Sequence, residues 1–367
     1  MKITACNLVD CDLLRRATNS KTQYIFVGAP WNILKAGIAG RFLSLDKERQ
    51  EGRVKCIYLG IGNGRIGFTN YQGPLEALDH KAYRHVTSSP FGFAYFKGRG
   101  GVRHQTTFAG DYMRMTYRSH YKTKKYVFIG DDFDIELGIH QFLQENPPLA
   151  ITLYKPGAEH PSCWRMVNSK VVCELVSAAD SSHTIEVVAL DLVSNEQMRA
   201  LMQASIPFIG VSGVMTMIEG LSLNKMVLTI HLQSNQIFFD DYSDFLYQEA
   251  KPIGKGAQFF NLSRQLLWDR NVGLSTAAMA SIVTELDDEK SCKAFTSISS
   301  RVAATNATHG ICEALGIPLD VKHGGEVSNS VLKEVATVEL NTSPVAADSG
   351  AVMLVTVHED SKKVVLK

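Results

Sequence analysis

Short Val- and Ile-rich runs alternate with stretches of helical periodicity across the second half of the chain. That alternation limits the fold more than any other feature. The apolar runs are Tyr24–Val27, Val54–Leu59, Tyr126–Ile129, Ala150–Tyr154, Thr184–Leu190, Pro207–Val211 and Met226–Ile230. Most show no alternating polarity, the pattern of strands covered on both faces. Between them, Asp134–Glu145 spaces Ile135, Ile139 and Phe142 as one helical face. Asn195–Ala204 does the same with Met198, Leu201 and Met202, and Val214–Leu223 with Val214, Met217, Ile218 and Leu221. Repeated strand–helix–strand units predict right-handed crossovers and a parallel sheet of the α/β class.

The first half is less regular. Tyr24–Val27 and Val54–Leu59 are expected to flank a helix over Ile33–Arg49. A glycine-rich, aromatic stretch then runs from Gly60 to Gly101. Within it Gly62, Gly64 and Gly67 satisfy GxGxxG after a strand, but Phe68-Thr-Asn-Tyr and Gly73-Pro74 follow where a phosphate-binding loop needs a helix N-terminus. A turn cluster or an active-site loop is the better reading. The basic segment SHYKTKK places a domain boundary near residues 120–125. Three parts are expected: an N-terminal domain over 1–122, a ligand-binding domain over 123–323, and a β-rich tail over 324–367, with a hairpin around Asp348-Ser-Gly350.

The chain has 367 residues, 45% hydrophobic and 20% charged, enough for about two globular domains that need no metal or disulfide. Its 38 Lys plus Arg against 37 Asp plus Glu argue against a nucleic-acid partner. A local basic cluster (Arg99, Arg103, Arg114, Arg118, Lys122, Lys124, Lys125) between Phe96 and Lys125 reads as a solvated face, or else as a patch for an anionic ligand or a peripheral membrane contact. Seven cysteines lack CxxC or zinc-finger spacing, and most are expected as buried free thiols in a reducing compartment. The first residues do not read as a signal peptide, and no apolar run reaches the roughly 18 residues of a membrane span. A cytoplasmic protein is expected, or one exported without a cleaved signal.

The chemistry concentrates at Ile209–Gln236, IGVSGVMTMIEGLSLNKMVLTIHLQSNQ. Gly210 and Gly213 bracket Ser212 at the end of a strand, where ligands bind in open α/β sheets. A helix from Val214 would aim free N–H groups and its positive end at an anion, with Gly213 letting the anion approach. Thr216 offers a hydroxyl in the first turn. Glu219 follows one turn on, and a carboxylate suits a vicinal diol such as ribose. The next strand leads to His231 and a polar loop ending in Asn235 and Gln236, whose side chains suit sugar hydroxyls or phosphate.

This run resembles the donor-binding segment of GT-B glycosyltransferases, most closely the UDP-N-acetylglucosamine transferase of peptidoglycan lipid-intermediate synthesis. The matching positions are Ser212, Gly213, Thr216, Glu219, Lys225, His231, Asn235 and Gln236. The resemblance spans about 30 residues, and the strand and helix order from Tyr126 to Asp244 fits the same domain. It implies two Rossmann-like domains, the first short and divergent, with a small C-terminal β appendage. It also implies Glu219 on ribose, Ser212, Gly213 and Thr216 near the diphosphate, and Asn235 with Gln236 on the sugar. His231 is implied as a further donor contact, and Gly130 stands where the family has a glycine-rich loop near the phosphates.

Two departures matter. Gly130 is followed by Asp131-Asp132-Phe133-Asp134, whose carboxylates would repel a diphosphate and are expected to cap the next helix. Val27-Gly28-Ala29-Pro30 lacks the histidine that the family carries after its first strand. A transferase of this kind also needs a general base for the acceptor. Asp79, His80, His85, His104 and Asp111 are candidates. His104 and Asp111 lead, because GRGGVRHQTTFAGDY reads as a loop able to face a cleft. GxSxG, P-loop and HExxH patterns do not occur, so no metal is expected, and no cofactor, the nucleotide-sugar being a substrate. The expected partners are that donor and an acceptor of unknown class: glycan, lipid, small molecule or protein. A nucleotide-sugar hydrolase or epimerase, and a non-catalytic binding protein, are the competing readings.

Overall fold

All seven apolar runs form strands, and all three periodic stretches form helices, in a computed structural model that describes residues 2–6, 23–28, 54–58, 60–61, 87–96, 107–155, 157–175, 184–191, 193–232, 235–304 and 352–357. The Ile33–Arg49 helix, the Gly62–Gly67 turn, the hairpin near Asp348, and Asp79, His80, His85 and His104 lie outside the described residues. The chain divides into two compact units, residues 1–69 with 305–367 and residues 70–304.

The first unit holds a four-stranded sheet of β1 (Lys2–Cys6), β13 (Val352–Val357), β2 (Gln23–Gly28) and β3 (Val54–Tyr58), in that order. β13 is antiparallel to both neighbours, and β2 and β3 are parallel. The tail thus supplies an internal strand, not the appendage expected from its composition.

The second unit is a mixed α/β body around a nine-stranded sheet. Its strands are β4 (Gly92–Phe96), β5 (Lys125–Gly130), β6 (Ala150–Tyr154), β7 (Ser162–Val167), β8 (Lys170–Leu175), β9 (Thr184–Leu190), β10 (Phe208–Val211), β11 (Met226–Ile230) and β12 (Leu267–Trp268). The spatial order is β12-β11-β10-β4-β5-β9-β6-β7-β8. Pairing is parallel from β12 through β6, and the β7–β8 hairpin adds an antiparallel edge. β10 and β11 are buried along their whole length, as strands covered on both faces must be.

Eight α-helices are present among the described residues: α1 (Phe108–Arg118), α2 (Asp132–Glu145), α3 (Asn195–Ala204), α4 (Val214–Ser222), α5 (Gln236–Ala250), α6 (Gly256–Gln265), α7 (Thr276–Asp287) and α8 (Glu289–Ala304). No helix among the described residues is long and apolar enough to cross a membrane.

β4 and α1 depart from the sequence reading, and they move the boundary. Both precede residue 122, yet both belong to the second unit. GFAYF hides a strand because glycine and aromatics blur the Val/Ile signal, although Phe93, Ala94 and Phe96 are fully buried. The FAGDY segment is a helix and not a loop. Phe108 through Thr116 are all buried, so no polar face marks it as helical. The SHYKTKK segment is the turn between α1 and β5, closed by the Thr123 N–H donating to the Thr116 carbonyl at 3.3 Å.

Of the three cysteines whose side chains are described, Cys292 is buried, Cys163 half-buried and Cys173 exposed. All three are free thiols. For these the expectation of burial holds only at Cys292.

Candidate functional site

The sheet changes direction between β4 and β10. From β4 the chain steps to β5 on one side and later returns to β10 on the other. A crevice opens outside the carboxyl ends of two strands that part in this way. Ser212 lies at that point, and its N–H donates to the Tyr95 carbonyl at 2.8 Å, one step beyond the β4–β10 ladder.

Gly213 is the N-cap of α4. Its φ of 92° is left-handed backbone that L side chains rarely adopt, and no atom of the described residues lies within 4 Å of where a Cβ would stand. Among the described residues no side chain caps the helix, which leaves its N-terminal N–H groups and the positive end of its dipole without a side-chain cap. Thr216 is half-buried in the first turn, while Met217, Ile218 and Leu221 anchor the opposite face.

Glu219 is half-buried on the same helix. Burial pushes its pKa above the ordinary carboxylate range, and the Arg199 guanidinium of α3 partly offsets this. It lies six residues past Gly213, about 9 Å along the axis at 1.5 Å per residue.

Lys225 sits at the turn between α4 and β11. Its ammonium donates to the carbonyls of Ser205 at 2.6 Å and Gln203 at 3.0 Å, and burial lowers its pKa to about 8. It serves the C-terminal end of α3, away from the N-terminal tip of α4.

His231 follows β11, and its backbone N–H donates to the Trp268 carbonyl at 2.8 Å. Its ring lies against Phe239, centroids 5.8 Å apart. Its Nε2 is 2.6 Å from Gln236 Oε1, and Gln236 Nε2 donates to Asp240 Oδ1 at 2.7 Å. Arg264 of α6 forms an ion pair with Asp240. Asn235 is the N-cap of α5, and Gln236 opens the helix instead of ending a loop.

Two further sequence candidates have packing or structural partners, and Gly130 shares the carboxyl edge of the sheet with Ser212. Gly130 ends β5, where a Cβ would come 2.5 Å from the Phe96 ring, so packing accounts for the glycine. Asp111 is fully buried and does not face a cleft. Its Oδ1 accepts from Arg114 at 2.6 Å, and its Oδ2 accepts from Trp268 Nε1 at 2.8 Å and the Leu274 N–H at 3.2 Å. Arg114 continues to Glu145 of α2 at 3.0 Å, so this carboxylate ties α1 to its neighbours. Asp131 caps α2 as expected, accepting from the Phe133 N–H at 2.9 Å, and Asp132 pairs with Lys155.

Sequence reasoning missed Arg199, Asp240 and Arg264. The Gln236–Asp240 spacing of four carries a helical signal. Arg199 and Arg264 reach their partners only through the fold.

No family model matches the sequence, and no match was found among curated proteins. Two solved structures are remotely similar. One, described as the structural basis for EarP-mediated arginine glycosylation of translation elongation factor EF-P, is 10% identical, with a TM-score of 0.38 over 81% of this chain and 99% of that one. The other, the N-terminal domain of Candida albicans trehalose-6-phosphate phosphatase, is 9% identical, with a TM-score of 0.34 over 72% of this chain and half of that one. Likenesses this remote carry no functional weight.

Proposed function

We propose that this chain is a GT-B-type glycosyltransferase that moves a sugar from a nucleotide-sugar, UDP-linked, to an acceptor. The observation that supports it is the tip of α4, which no side chain among the described residues caps, at the point where the sheet changes direction, with half-buried Glu219 on the same helix. In this reading the N–H groups beyond Gly213, with Ser212 and Thr216, hold the diphosphate. They stabilise the departing nucleoside diphosphate as its charge develops. Glu219 accepts hydrogen bonds from the ribose hydroxyls, and His231, Asn235 and Gln236 face the sugar. The nucleotide-sugar is a substrate, and no cofactor is invoked. Burial withdraws Asp111 as the base, and His104 stays a candidate from sequence alone. The protein is proposed to work in the cytoplasm.

A thermal-shift screen of UDP-, GDP- and dTDP-sugars, followed by calorimetry, tests the reading. UDP-sugars are expected to raise the melting temperature. Glu219→Ala is expected to weaken UDP binding by about 1–3 kcal/mol, the order of a lost charge-assisted hydrogen bond, without unfolding the chain. The reading fails if no nucleotide-sugar stabilises the protein. Labelled sugar recovered only in water would make the enzyme a hydrolase.

A further inference from the structure

Gln236 joins two partners of different kinds. On one side its amide nitrogen donates to Asp240 Oδ1 at 2.7 Å; on the other its oxygen lies 2.6 Å from Nε2 of His231. A carboxylate only accepts, so the amide cannot be reversed without losing the Asp240 bond. Asp240 is itself held, one turn further along α5, by Arg264 reaching across from α6. With the amide oxygen turned toward the imidazole, the ring must carry its proton on Nε2. In a neutral imidazole the other nitrogen, Nδ1, is then an acceptor.

We propose that Asp240 is a positioning residue that acts through Gln236 to hold His231 as the Nε2–H tautomer. His231 then presents Nδ1 as an acceptor, suited to a ligand hydroxyl and unsuited to a phosphate oxygen, which would need a donor. The assignment of that hydroxyl to a bound sugar rests on the donor-site reading above; the tautomer does not. The choice between sugar and phosphate, which the ring's identity leaves open, is made here by a carboxylate two hydrogen bonds away.

The test uses the full chain with 15N-labelled histidine, without ligand, in mildly alkaline buffer where an imidazole is neutral. Long-range proton–nitrogen NMR reads the tautomer, and His231→Asn assigns the signals. The wild type is expected to show Nε2–H. Asp240→Ala is expected to give a mixture of tautomers, and Asp240→Asn, whose side-chain oxygen still accepts from Gln236, to restore the single form. A wild-type ring protonated on Nδ1, or an unchanged tautomer in Asp240→Ala, overturns the proposal.

Calorimetry supplies the second arm. Asp240→Ala is expected to weaken UDP-N-acetylglucosamine binding by about tenfold, the scale of one lost hydrogen bond, with UDP unaffected. An equal loss for both ligands overturns the hydroxyl assignment. If the wild type binds neither, the transferase reading falls, while the NMR result still decides the role of Asp240.

Discussion

Three glycines singled out by the sequence have different physical origins. Gly130 and Gly210 are small because neighbours fill the space: a Cβ would stand 2.5 Å from the Phe96 ring at Gly130 and 2.7 Å from the Phe108 ring at Gly210. Gly213 has no atom of the described residues near its Cβ position and a left-handed φ of 92°. Gly210→Ala is therefore expected to cost about 1–3 kcal/mol of stability by overpacking. Gly213→Ala is expected to cost about 1–2 kcal/mol through backbone strain and also to weaken UDP binding, because it perturbs the helix tip. Urea titration and calorimetry on both variants separate the two effects. A Gly213→Ala protein with wild-type affinity would remove the tip from the site. Residue types alone cannot tell these glycines apart, since crowding and φ are properties of the folded backbone. Asp111 makes the same point: an aspartate near a histidine in a glycine-flanked segment looks catalytic, and only the fold reveals Trp268 and Leu274 as its partners.

At the scale of elements, the sequence was most readable where one residue class dominates. Ala150–Tyr154, Thr184–Leu190 and Met226–Ile230 are strands with the bounds expected, and Asn195–Ala204 is a helix as expected. Ser194 and Gln197 add a capping box to that helix. α1 stayed hidden because its buried surface includes Asp111, Arg114 and Thr116, polar residues that mask the periodicity. Yet α1 ties two strands of the sheet together. The Tyr112 hydroxyl accepts from the Phe93 N–H at 3.0 Å and donates to the Phe208 carbonyl at 2.7 Å, joining β4 to β10 at their amino-terminal ends. Burial raises the pKa of this phenol well above its ordinary value, so it stays protonated and able to donate. Tyr112→Phe strands a buried N–H and a buried carbonyl. The expected loss is about 1–3 kcal/mol in chemical denaturation, with faster hydrogen exchange at Phe93. Unchanged protection of that amide would show that the bridge does not hold the two strands.

For the whole molecule, the α/β class was legible from the strand–helix alternation, but the division of the chain was not. Compositional change suggested cuts at 122 and 323, whereas the compact units are residues 70–304 and the two flanking segments together. Discontinuity of this kind leaves no local mark, since β13 pairs with β1 and β2 across more than 300 residues of sequence. Truncation after residue 351 removes the strand between β1 and β2. Amides of both strands are expected to lose hydrogen-exchange protection, and retained protection in β1 would contradict this pairing. The same strand dictates an order of events during synthesis. Residues 70–304 have left the ribosome before Val352 is translated, so β1 and β2 must wait for their shared neighbour with open edges. A stalled or nonsense-terminated chain would carry those edges permanently, a sticky by-product that quality control has to clear.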